Sequence, residues 1–87
     1  MAAALQIWSP TFCRGFDVLP SQVQQAIQDK VDEMGRRLDS FHHHRLTGRN
    51  EFRLRVGDYR VLYEFDAAAG RILLLYVGHR REIYKRT

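Results

Sequence analysis

Lysine is almost missing from the basic residues of this 87-residue chain: twelve of its fourteen Lys/Arg side chains are arginine. Cysteine occurs once, at Cys13, which excludes an internal disulfide framework and a cysteine-based zinc site and suits a reducing compartment. Proline occurs twice, at Pro10 and Pro20, so long stretches are left unbroken for helix and strand. No apolar run is long enough to span a bilayer. The opening "MAAALQIWSP" has no basic segment ahead of a short apolar one, so it does not read as a signal peptide. The expected location is the cytoplasm, with no membrane partner. At this length one domain, residues 1–87, is the expectation.

What is present is unevenly placed. Residues 1–44 carry four Lys/Arg against five Asp/Glu, and residues 45–87 carry ten against five, so the net +4 charge comes wholly from the second half. Arginine stays protonated and presents a planar fork that matches phosphate. A polyanion is the partner that such a half suits. Aromatic and aliphatic residues make up the rest of a globular composition, 45% hydrophobic.

The element pattern is β-α-α-β-β-β. "LQIW" at 5–8 reads as a first strand. Ser9-Pro10 is an N-cap followed by a proline suited to the first helical position, opening a short helix over residues 10–18. A second helix begins at Pro20-Ser21, where Val23, Ile27, Val31, Met34 and Leu38 recur at spacings of three and four. Residues 39–50 read as a connecting loop. Alternation over 51–56 and 59–65 gives two strands, and the apolar run 71–77 gives a last one inside the sheet. The expected fold is α+β, a helical hairpin packed on one face of a small, mostly antiparallel four-stranded sheet.

Gly57-Asp58 joins the two middle strands, and glycine at the first central position favours a type II′ turn. The register is then set: Val56 faces Tyr59, Arg55 faces Arg60, Leu54 faces Val61 and Arg53 faces Leu62. Arg53, Arg55 and Arg60 all project from one side. Opposed like charges weaken a sheet, so stability gives no reason for the Arg55–Arg60 pair, whereas phosphate binding does. Arg80, Arg81 and Tyr84 follow the last strand and can come beside the hairpin, which adds an aromatic ring to a basic surface suited to RNA. The run His42-His43-His44 lacks Cys, Asp or Glu at useful spacing, so no metal is expected there, and these residues read as loop.

"HRLTGRNEFRLRVGDYRVLYEF" and "LLLYVGHRREIYKR" resemble the RelE group of the RelE/ParE superfamily of bacterial toxins, chiefly in "RLTG", "RVGDYRVLY" and "GHRREIY". The resemblance covers residues 45–86 in detail and the first half in element order only. It implies the toxin of a type II toxin–antitoxin pair, a metal-independent and cofactor-free endoribonuclease that cuts mRNA on the ribosome and is silenced by a cognate antitoxin. The family's catalytic positions fall on Arg53, Arg55, Arg60, Arg80 and Tyr84. Arg45, Arg49, His79, Arg81, Lys85 and Arg86 are expected to contact RNA. Where the best-studied members have lysines, this chain has Arg53 and Arg55, and arginine cannot accept a proton. Tyr84 and His79 are the candidates for that role. Two other functions fit a basic domain of this superfamily: a ParE-like inhibitor of DNA gyrase, and an RNA-binding module without catalysis.

Overall fold

The computed structural model describes residues 3–85. The chain runs β1 (Leu5–Trp8), α1 (Pro10–Asp17), α2 (Ser21–Arg36), β2 (His44–Arg45), β3 (Phe52–Val56), β4 (Tyr59–Asp66) and β5 (Arg71–His79), and ends in a 3₁₀ turn, Ile83–Lys85. The α+β class and the helical hairpin are as expected. The sheet has five strands, in the order β1-β5-β4-β3-β2. The extra one is β2, two residues of the segment expected to be loop, which pair antiparallel with Phe52 and Arg53. β1 pairs parallel with β5 and the other pairings are antiparallel.

Ser9 starts α1 as its sequence context predicts. Its hydroxyl accepts from the Phe12 N–H at 3.0 Å and donates to the Leu75 carbonyl at 2.9 Å, so the cap also ties the helix to β5. β1 ends at Trp8, opposite Leu74, and α1 runs beside the remainder of β5. There Gly15 approaches the backbone so closely that a Cβ would stand 2.9 Å from the Val77 carbonyl oxygen. α2 turns Ile27, Val31 and Met34 onto the sheet, and Leu38 follows in the next turn, all buried. They meet Leu54, Val61, Tyr63, Ile72, Leu74 and Val77 in one core. Gln6 on β1 donates to Asp32 on α2 at 2.6 Å, and Gln28 donates to both, which fixes the helix over the sheet edge.

The β3–β4 register is the expected one at every pair. Gly57 has φ 58°, and no non-glycine residue among those described has a positive φ, as a type II′ turn requires and a type I′ turn does not allow. A β-bulge shifts the β4–β5 register between Leu62 and Tyr63. Leu75 of β5 is the extra residue, and it lets Leu74 join Val77 on the core side opposite Tyr63, while Leu62 and its partner Tyr76 stay on the other.

Candidate nucleic-acid interface

The face of the sheet away from the helices carries the basic residues in two rows. One runs from Gly78 through Arg60 to Arg55, and the other from Tyr76 through Leu62 and Arg53 to His44. Directly opposed residues share a face, so the pairing alone places these side chains together. Arg55 is exposed and Arg53 is half-buried.

Arg60 is the exception to an open basic surface, with only 8% of its area exposed. Its Nη1 donates to the carbonyls of Gly57 and Tyr59, both at 2.8 Å, so the guanidinium is held against the type II′ turn. Burial is the main cause that lowers its pKa below the ordinary arginine value, followed by the charge of Arg55. Arg53 and Arg80 add to the drop, and Tyr84 opposes it. Arg60 is thus the point at which four side chains converge electrostatically, and three of the four are cations. A fixed guanidinium inside a ring of positive charge is preorganised for an anion.

The tail is folded back by the same turn. The Arg80 N–H donates to the Asp58 carbonyl at 2.8 Å, and Arg80 Nε lies 3.5 Å from the Asp58 carboxylate. Ile83 is buried and packs over Gly78, its Cδ1 3.4 Å from where a Cβ would be, which brings the next residue to the Arg60 side of the sheet. Tyr84 remains 42% exposed. Arg53, Arg55, Arg60, Arg80 and Tyr84 are therefore brought to one place by two strands, β3 and β4, and the tail. Asp58 is the residue that sequence reasoning missed. It reads as a turn residue, yet it anchors Arg80 through both backbone and side chain; the signal was its place directly before Tyr59, the strand partner of His79, which Arg80 follows.

The wider set of expected RNA contacts is only partly assembled. Arg45 pairs with Phe52, so it lies on the helix side of β2, with its guanidinium 4.7 Å from the Phe52 ring centroid. Arg49 bonds Glu51 at 2.6 Å. His79 pairs with Tyr59 across the strands, on the face opposite Arg60, and its Nδ1 accepts from the Arg81 N–H at 3.2 Å. That orientation sets the His79 ring apart from the Arg60 cluster. Arg81 and Lys85 are exposed on the tail. Arg86 lies outside the described residues.

The histidine run also divides. His43 is turned inward, where its Nε2 donates to the Leu38 carbonyl at 3.0 Å and its Nδ1 accepts from the Tyr63 hydroxyl at 2.6 Å. Its ring stacks on Phe65 with centroids 3.8 Å apart. His42 and His44 are exposed, so the three imidazoles do not converge on one ion.

Residues 7–84 match the family described as the ParE toxin of the type II toxin–antitoxin system parDE. The chain belongs to this toxin family. Solved structures place the toxin beside RelE proteins, within the RelE/ParE superfamily that its motifs indicated. A chain of the RelBE2 toxin–antitoxin complex of Mycobacterium tuberculosis is 26% identical, with a TM-score of 0.73 over 92% of this toxin and 94% of that chain. A chain of the RelB–RelE antitoxin–toxin complex of Methanococcus jannaschii is 24% identical, with a TM-score of 0.71 over 92% and 96%. The isolated RelE toxin of E. coli shares the fold at 15% identity, with a TM-score of 0.75 over 97% and 98%. No curated protein sequence matches the toxin. No helix among its described residues is long and apolar enough to cross a membrane.

Proposed function

We propose that this toxin is a ribosome-dependent mRNA endoribonuclease of the cytoplasm, silenced by a cognate antitoxin. The observation that carries the reading is the buried Arg60, bonded to two turn carbonyls and surrounded by Arg53, Arg55, Arg80 and Tyr84. In the proposed reaction the RNA 2′-oxygen attacks the adjacent phosphorus, the bond to the 5′-oxygen breaks, and the products are a 2′,3′-cyclic phosphate and a 5′-hydroxyl. Arg60 and its neighbours stabilise the negative charge that grows on the phosphoryl oxygens. None of the arginines can accept the 2′-hydroxyl proton, so proton transfer falls to Tyr84.

Two features support dependence on the ribosome. Arg55 is exposed on the arginine face, and Tyr84 is 42% exposed. Orientation of the substrate must then come from elsewhere, an effect worth several kcal/mol in favourable cases. The antitoxin reading rests on the complexes of the M. tuberculosis and M. jannaschii relatives. An acidic, amphipathic segment that folds on binding suits the basic face.

The family description also raises gyrase inhibition. The convergence of four arginines with Tyr84 weighs for the nuclease. The deciding experiment presents purified toxin with programmed ribosomes, with naked mRNA and with DNA gyrase. Cleavage on ribosomes, weak cleavage of naked mRNA and unaffected supercoiling are expected. Inhibited gyrase with intact mRNA would replace this reading, and equal cleavage of naked and bound mRNA would remove its ribosome dependence.

A further inference from the structure

Beyond Arg53, the second basic row does not end at the arginines. His44 is the cross-strand partner of Arg53, so its ring stands on the same face. His42 stacks on it, with centroids 4.5 Å apart and the planes 25° from parallel. Both residues are exposed, so the stacked pair stands at the surface of this face. Stacked rings hold their nitrogens in nearly parallel planes, which does not suit chelation of a metal. The pair is also rigidly mounted. His43 between them is fixed by its two hydrogen bonds and its stack on Phe65, and His44 is fixed by pairing with β3. A preorganised aromatic platform loses little freedom when a ligand lands on it.

We propose that His42 and His44 form a base-stacking subsite for a nucleotide flanking the scissile phosphate. This rests on the nuclease reading above and names a part of the substrate-binding surface outside the arginine–tyrosine cluster. From Arg60 the platform lies two strands across and two residues along, on the order of 12 Å. A single-stranded RNA whose phosphate sits at Arg60 can pass Arg53 and lay a base on the histidines. Every base has a π-face, so such a subsite adds affinity with little sequence preference.

The test uses ribosomes programmed with a message that lacks the 2′-hydroxyl at the cleavage position and so binds uncut. A fluorescent purine analogue is placed in turn at each flanking nucleotide. Wild type should quench it at one position. The double variant His42→Ala/His44→Ala should lose that quenching and bind about fivefold or more weakly, with an unchanged unfolding temperature. His42→Phe/His44→Phe should keep both properties. Quenching by the alanine variant equal to wild type would overturn the subsite. So would a phenylalanine variant that fails where His42→Lys/His44→Lys succeeds, because charge would then be the active property. If wild type does not bind programmed ribosomes, the nuclease reading and the subsite fall together. If wild type binds, and Arg53→Ala weakens it while the histidine variants do not, the subsite falls alone.

Discussion

Among the arginines, Arg60 and Arg55 face each other but differ in what they hold. Arg60→Ala removes two charge-assisted bonds to turn carbonyls, which water can partly replace, and relieves repulsion from Arg53, Arg55 and Arg80. The net cost is about 1 kcal/mol, or a fall of about 4–8 °C in Tm. Arg55→Ala relieves the repulsion between opposed arginines, so its Tm should hold or rise slightly. Cleavage on ribosomes should fall by about 2–4 kcal/mol in the Arg60 variant. Thermal unfolding and single-turnover cleavage check both; intact cleavage in Arg60→Ala would leave the residue a purely structural role at the turn. The Tyr63 hydroxyl gives a second contrast. Burial raises its pKa above the ordinary 10.0, so the folded state keeps the phenol protonated where the unfolded chain ionises. Stability from this group is fully present below pH 10.0 and is lost as pH rises beyond it. Tyr63→Phe should flatten that alkaline loss and cost about 1 kcal/mol at neutral pH through the His43 bond; unchanged alkaline unfolding would show that another group controls it. The opposed arginines were legible because turn chemistry fixes register. The burial of Arg60 was not, because it depends on where a distant tail returns. His43 was hidden inside a run of three identical residues, although strand alternation divides them out, in and out.

The elements themselves were legible where periodicity is strong. The stripe from Val23 to Leu38 found its core, and Ser9-Pro10 opened its helix at the expected residue. β2 escaped because two residues carry no period, and it exists only through pairing with β3. Gly15 escaped for a different reason: a glycine in a short helix reads as a weakness, and only the approach of β5 shows its use. Alanine there would ordinarily help a helix by about 1 kcal/mol. Here its Cβ would stand 2.9 Å from the Val77 oxygen and 3.1 Å from Val77 Cγ1. Backbone cannot yield as a flexible side chain does, so Gly15→Ala should cost about 1–3 kcal/mol. A Tm equal to or above wild type would mean that α1 lifts off β5 freely.

On the scale of the whole molecule, one half of the chain builds the support and the other presents the charge. Residues 1–44, with a net −1, supply β1 and both helices, and residues 45–87, with a net +5, supply most of the sheet and the tail. The helices cover one face, so the basic residues are concentrated on the other. Ribosomal RNA, message and an acidic antitoxin segment would then compete for the same surface. Association with a polyanion through several arginines weakens steeply as salt rises. If the antitoxin neutralises by covering this face, Arg53→Ala/Arg55→Ala should weaken ribosome binding and antitoxin binding together, and added salt should weaken both. Both affinities can be measured by titration against the same labelled toxin. Antitoxin affinity that stays at the wild-type level in this variant, with neutralisation intact, would place the inhibitor elsewhere. The tail is the element it would then have to move, because Tyr84 reaches Arg60 only while Ile83 packs over Gly78 and Asp58 holds Arg80. Proteolytic nicking near residues 80–85 that appears only in the complex would identify that route.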